Sequence, residues 1–253
     1  MQTDQDPLIR VENLTAAYDG TMVIKNISFE VKRGEVFVIL GGSGSGKSTV
    51  LKHMIGLYRP VAGRVLIDGH DIAEAEGEER LQILRKTGVM YQQGALFGSM
   101  TLLENVRLPL EEFTDLPPGA MNLIACMKLA LVGLNGFENR MPSELSGGMR
   151  KRAAIARAMA LDPEILFLDE PSAGLDPITS VEVDELILRL ARNLGMTFVV
   201  VSHELSSIYT IADRIIMLDT KTKGIVASGA PRDLRDHTEN AWVRRFLNRE
   251  PAS

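Results

Sequence analysis

Three strand-like segments mark the chain, Glu35–Leu40, Glu164–Leu168 and Thr197–Val201, each an apolar run after its first residue. Runs without polar alternation suit strands buried on both faces, the habit of parallel sheets in α/β proteins. Between them lie helical patterns, such as Val50, Leu51, Met54 and Ile55 on one face. The first forty residues read differently. Leu8–Leu14 and Ile24–Val31 alternate only partly and are separated by the turn signal Tyr18-Asp19-Gly20, and Arg64–Ile67 runs into Asp68-Gly69. This pattern predicts an antiparallel sheet beside the main one. From about Leu102 to Leu161 strand signals fade, which predicts an inserted helical lobe with helix ends at Pro117-Pro118-Gly119 and Met141-Pro142-Ser143.

Bulk properties narrow the class. The chain has 253 residues, 45% hydrophobic and 24% charged, enough for a sizeable core without disulfides. Its lone cysteine, Cys126, can form no internal bridge. The opening MQTDQDPLIR is polar and acidic, unlike a secretory signal, and the longest apolar runs fall far short of the ~20 residues that span a bilayer. The expectation is a protein that stays in the cytosol. A net charge of −5 gives little support to a nucleic-acid surface, and Arg244, Arg245 and Arg249 read as a solvated basic helix face.

Candidate chemistry gathers where strands end. Gly41-Gly42-Ser43-Gly44-Ser45-Gly46-Lys47-Ser48-Thr49 fits a phosphate-binding loop, because a strand precedes it and an amphipathic helix follows. Its glycines let backbone N–H groups converge on phosphate at a helix N-terminus. Lys47 is expected at the β- and γ-phosphates and Ser48 on Mg²⁺. The second apolar run delivers Asp169 as a further Mg²⁺ ligand and Glu170 to polarise the attacking water. His203, after the third run, is assigned to the γ-phosphate. No Asn-Lys-x-Asp motif occurs, which favours ATP over GTP.

Leu145-Ser146-Gly147-Gly148-Met149, followed by Arg150-Lys151-Arg152 and the helical run Ala153–Leu161, resembles the signature motif of ABC ATPases. The resemblance covers about Leu8 to Gly229 and implies an α/β fold: a P-loop NTPase (RecA-like) core, an N-terminal antiparallel β subdomain and an inserted helical subdomain. The expected layout is one domain over 1–253: core and β subdomain at about 1–93 and 162–230, helical subdomain at about 94–161, tail at about 231–253. The resemblance further implies that Ser146, Gly147 and Gly148 bind the γ-phosphate of ATP held by a partner copy. Tyr18 matches the adenine-stacking aromatic, with simple packing on the sheet as the alternative. Gln92 matches the glutamine that senses Mg²⁺ and water and links to the membrane subunit, with Gln93 the nearest competitor. Asp176 matches the key residue of the loop that communicates between sites. Gly42 stands where many relatives carry proline.

Finer resemblance, in Tyr91–Phe97, Glu104-Asn105-Val106, Leu108-Pro109-Leu110, Pro142–Met149 and Leu175–Ser180, points to the Mla/Mce group of bacterial lipid transporters. It implies a homodimer on the cytoplasmic face of the inner membrane, a permease, a periplasmic MCE lipid-binding protein and, in some members, a STAS-type subunit. An ATPase for ordinary solutes is the alternative, and a non-transport role in translation or DNA repair is disfavoured by the single cassette without a heptad run. Ala95–Leu110 is expected to dock the permease, or else to pack in the core. The apolar positions in Trp242–Leu247 fit either the chain's own core or a partner copy, with a place near the dimer interface expected.

Overall fold

A computed structural model of the chain describes residues 6–250; the first five and last three residues of the expected domain lie outside the described residues. In chain order, β1 (Ile9–Tyr18), β2 (Thr21–Val31) and β3 (Val36–Gly41) lead into α1 (Lys47–Met54). β4 (Ala62–Ile67), β5 (His70–Asp71), α2 (Gly77–Arg85) and β6 (Thr87–Met90) follow. A helical stretch then holds α3 (Leu102–Phe113), α4 (Pro118–Leu131), a short 3-10 turn (Pro142–Glu144) and α5 (Gly147–Ala158). After it come β7 (Ile165–Asp169), α6 (Pro177–Leu194), β8 (Thr197–Val201), α7 (Leu205–Ile211) and β9 (Arg214–Leu218). The chain closes with β10 (Ile225–Gly229), α8 (Pro231–His237) and α9 (Ala241–Asn248).

The main sheet has the order β10-β9-β3-β8-β7-β6, parallel from β9 through β6 with β10 antiparallel on one edge. A second, antiparallel sheet has the order β2-β1-β4-β5. The α/β class and the separate antiparallel sheet agree with the sequence pattern; β5, β6, β9 and β10 lie outside the strands it predicts, although β9 carries the apolar run Ile215-Ile216-Met217-Leu218.

The apolar runs are buried on both faces because successive side chains of a strand point to opposite sides. Val36, Val38, Leu40, Leu166, Leu168, Phe198 and Val200 enter one core with α3 to α7. Phe37, Ile39, Ile165, Phe167, Val199 and Val201 enter another, against α1 and the antiparallel sheet. Fully burying each such side chain contributes roughly 1.5–3 kcal/mol, and the two-sided burial fixes strand register. Helix α6 follows the same logic at helical spacing, burying Val183, Leu186, Ile187 and Leu190.

Two expectations resolve here. Leu102, Val106 and Leu110 on α3 are core residues, so within 95–110 the one large apolar side chain left exposed is Phe97, in the loop before α3. Val243 and Leu247 of α9 are buried in the chain's own core, the first of the two alternatives for the C-terminal stretch. The Tyr209 hydroxyl on α7 donates to the Leu247 carbonyl at 2.9 Å and ties the tail down.

Candidate functional site

The register of the main sheet decides which residues meet. Ile39 on β3 pairs with Val201 on β8, and Asp169 on β7 pairs with the same Val201. The loop after β3, the carboxylates after β7 and the histidine after β8 therefore share one C-terminal edge, where open α/β sheets take ligands.

The loop 42–46 ends at Gly46, the N-cap of α1, with φ of 92°. A Cβ there would also sit 2.5 Å from Ile24 Cδ1, so glycine is required on both counts. The first turn of α1 carries no acidic side chain, and its unpaired N–H groups suit an anion. Lys47 Nζ donates to the carbonyls of Gly41 and Gly42 at 2.9 and 3.0 Å. Burial lowers the Lys47 pKa, while Glu170 and Asp169 pull it back up. Gly42 and Gly44 have open space where a Cβ would stand, so a ligand can lie close against the backbone. The Ser45 hydroxyl is buried without a hydrogen-bond partner.

Ser48 Oγ lies 3.5 Å from Asp169 Oδ1, a long contact. Burial raises the Asp169 pKa, the neighbouring Glu170 charge raises it further, and the Ser48 hydrogen bond opposes them. A hydroxyl beside two adjacent carboxylates, one destabilised as an anion, is a donor set that fits a hard divalent cation. Glu170 is 7% exposed with a left-handed φ of 50°. Its N–H donates to the Val201 carbonyl at 2.9 Å, and its Oε1 lies 2.7 Å from His203 Nδ1. Its Oε2 is buried with no hydrogen-bond partner. With Nδ1 engaged by the carboxylate, the exposed imidazole can donate Nε2–H to an anion when both ring nitrogens carry a proton.

The other expected residues lie around this centre. Tyr18, at the end of β1, packs edge-on against Tyr58 with ring centroids 5.6 Å apart, a partner that sequence reasoning missed. Gln92 and Gln93 are both exposed, and Gln92 is held through its carbonyl, which accepts from Lys151 Nζ. Ser146 caps α5 by accepting from the Met149 N–H at 3.2 Å. Asp176 caps α6 by accepting from the N–H groups of Ile178 and Thr179, each at 3.1 Å. These two helix starts adjoin: Cβ atoms at Gly147 and Gly148 would meet Leu175 and Thr179, not the loop that carries Lys47.

Three further residues were not singled out from sequence. Lys151 on α5 also donates to the Glu170 carbonyl at 3.0 Å. Arg157 on the same helix donates to the carbonyls of Ala95 and Gly94 at 2.7 and 3.0 Å. Fully buried Asn105 accepts from the Phe97 N–H and donates to the carbonyls of Phe97, Met100 and Thr101. A polar residue on the buried face of an otherwise apolar helix was the available signal for Asn105.

A family profile described as ABC transporter matches residues 24–173. A Mycobacterium leprae protein named as a probable ribonucleotide transport ATP-binding protein, mkl, is 42% identical over 95% of this chain and 68% of its own length. The Haemophilus influenzae intermembrane phospholipid transport system ATP-binding protein MlaF is 40% identical over 96% of this chain and 91% of its own length. Among solved structures, the dimeric ATP-binding cassette MJ0796 in a post-hydrolysis state with ADP and Pi superposes with a TM-score of 0.79. It is 33% identical, over 88% of this chain and 98% of that one.

Proposed function

The chain belongs to the ABC transporter family as an ATP-hydrolysing subunit, and on that premise we propose that it works as a head-to-tail homodimer driving phospholipid transport by an inner-membrane permease. The observation that carries the dimer is the division of the site. Lys47, Ser48, Asp169, Glu170 and His203 share one sheet edge, while Gly147 and Gly148 lie against Leu175 and Thr179. A second copy, related by a closed two-fold, supplies the missing half. The dimeric MJ0796 relative lends support.

In that arrangement the 41–49 loop and Lys47 bind the β- and γ-phosphates, and Tyr18, backed by Tyr58, stacks on adenine. Glu170 receives the attacking water at Oε2, its one oxygen without a protein partner, and polarises it. With both ring nitrogens protonated, His203 donates from Nδ1 to Glu170 and from Nε2 to the γ-phosphate. Mg²⁺, which Ser48, Asp169 and Gln92 would hold, supplies neutralisation of phosphate charge. Ser146, Gly147 and Gly148 of the opposite copy present a helix N-terminus to the same γ-phosphate, and Asp176 links the two sites. ATP contacts both halves and so favours closure, and loss of the γ-phosphate removes the bridge.

The cargo assignment rests on the MlaF relative, because that match runs through 91% of its length against 68% for mkl. Residues 1–253 act as one cassette, with the helical subdomain at about 94–161 and the tail from about 231. Among the described residues no helix is long and apolar enough to cross a membrane, which fits peripheral attachment at the cytoplasmic face. An MCE lipid-binding protein, and a STAS-type subunit where present, complete the assembly. Affinity purification from detergent-solubilised membranes should bring down a permease and an MCE-domain protein. Recovery of a solute-binding protein, ribosomes or DNA instead would overturn the lipid assignment.

A further inference from the structure

Lys151 is a cation where the fold can ill tolerate one. The residue is 7% exposed, and burial lowers its pKa against the pull of Glu170, Asp169 and Glu204. A buried ammonium is strongly destabilising unless its N–H groups are met. Here its Nζ donates to the backbone carbonyls of Gln92 and Glu170, on two loops beside the site. The second matters because Glu170 holds a left-handed backbone, uncommon for any residue but glycine, and that backbone sets where its carboxylate points. Val201 secures the N–H side of Glu170 and Lys151 secures the carbonyl side.

Lys151 also lies on α5, only five residues beyond its N-cap Ser146, roughly 7.5 Å along a rigid helix. Farther along the same helix Arg157 grips the carbonyls of Gly94 and Ala95. One helix therefore carries the signature residues at its start and holds the 92–95 segment and the catalytic backbone from its flank.

We propose that Lys151 is a positioning residue that fastens the signature helix of each subunit to the backbone of that subunit's own Gln92 and Glu170. Because the signature serves the ATP of the other copy, this fastening delivers clamping at one composite site to the catalytic carboxylate of the other. The inference rests on the head-to-tail dimer proposed above.

Three variants separate the outcomes. Lys151→Met keeps the side-chain length and removes every donor, Lys151→Arg keeps the charge, and Glu170→Gln reports on the site itself. Lys151→Met should lower kcat about tenfold or more, the scale of losing a hydrogen bond to a charged group. KM for ATP should hold within about threefold, since no phosphate contact is touched. In nucleotide-free protein, amide hydrogen exchange should quicken at 93–95 and 170–173, and Lys151→Arg should restore most of both readouts. A Lys151→Met protein with wild-type kcat and exchange, while Glu170→Gln is inactive, overturns the inference and leaves the site assignment standing. Near-normal turnover by Glu170→Gln overturns the site assignment first. Should Lys151→Met not fold, Lys151→Ala, which also removes every side-chain donor, carries the same readouts: lowered kcat at constant KM supports the inference, and wild-type kcat overturns it.

Discussion

Replacing Asp184 by asparagine isolates the effect of a carboxylate set deep in the fold. Asp184 lies on the buried face of α6 at 3% exposure, hydrogen-bonded to Ser207 of α7, with Oδ1 lacking a partner. Burial pushes its pKa up to about 6 from 3.8, the Glu204 charge adds to this, and the Ser207 bond opposes it. The folded state thus holds the proton more tightly than the unfolded chain, so stability falls as pH rises from about 4 to about 6. Above that window the ionised group destabilises the fold by about 3 kcal/mol, taking 1.36 kcal/mol for each pH unit. An asparagine at this position cannot ionise, and its amide can keep the Ser207 contact. Asp184→Asn should therefore stabilise the protein at pH 8 by up to about 3 kcal/mol, or roughly 6–12 °C in Tm for a domain of this size. Near pH 4.5 the gain should shrink to about a third of that. Urea unfolding of both proteins across pH 4.5–8 reads this directly. An unchanged or lower stability at pH 8, or a gain that does not vary with pH, refutes the reasoning.

Mixed dimers with Lys47→Ala on one copy and Ser146→Ala on the other should keep one intact site and hydrolyse ATP well above either mutant homodimer. Equal, negligible rates would count against head-to-tail pairing. Gly148→Ala places a Cβ 2.2 Å from Thr179 Cγ2 and should destabilise by about 1–3 kcal/mol in urea unfolding. Thr179→Ser removes that methyl while keeping the hydroxyl bond to Asp176, and should recover most of the loss. Asn105→Ala removes a side-chain amide that meets four backbone groups at the turn before α3, two N–H shared among three carbonyls, and should destabilise by about 2–4 kcal/mol. A loss under about 0.5 kcal/mol would mean that water replaces the amide.

The strands that carry the site were legible because β3, β7 and β8 are buried on both faces and so have no polar positions to interrupt them. β6 was not, since it has four residues and includes Gly88, whose Cβ would stand 2.0 Å from the Ala158 carbonyl. That glycine answers to a helix seventy residues away, a contact no local pattern encodes. β10 is a half-exposed edge strand with a weak apolar signal. The phosphate loop, Asp169, Glu170 and His203 were found because each follows a recognisable strand. Lys151 was hidden in plain sight between Arg150 and Arg152, where three cations in a row resemble a solvated face. Only the packing of α5 against Gln92 and Glu170 separates the buried one from its neighbours.

The anchoring of α9 has a practical corollary for handling the protein. Leu247 is bolted to Tyr209, and the helix carrying Tyr209 starts two residues past His203. A bulky fusion or a surface tether attached at the C-terminal end therefore tugs on the segment that aims the imidazole. Immobilisation for rate measurements belongs elsewhere, for example on a cysteine introduced at exposed Leu194, at the far end of α6, after Cys126 has been replaced.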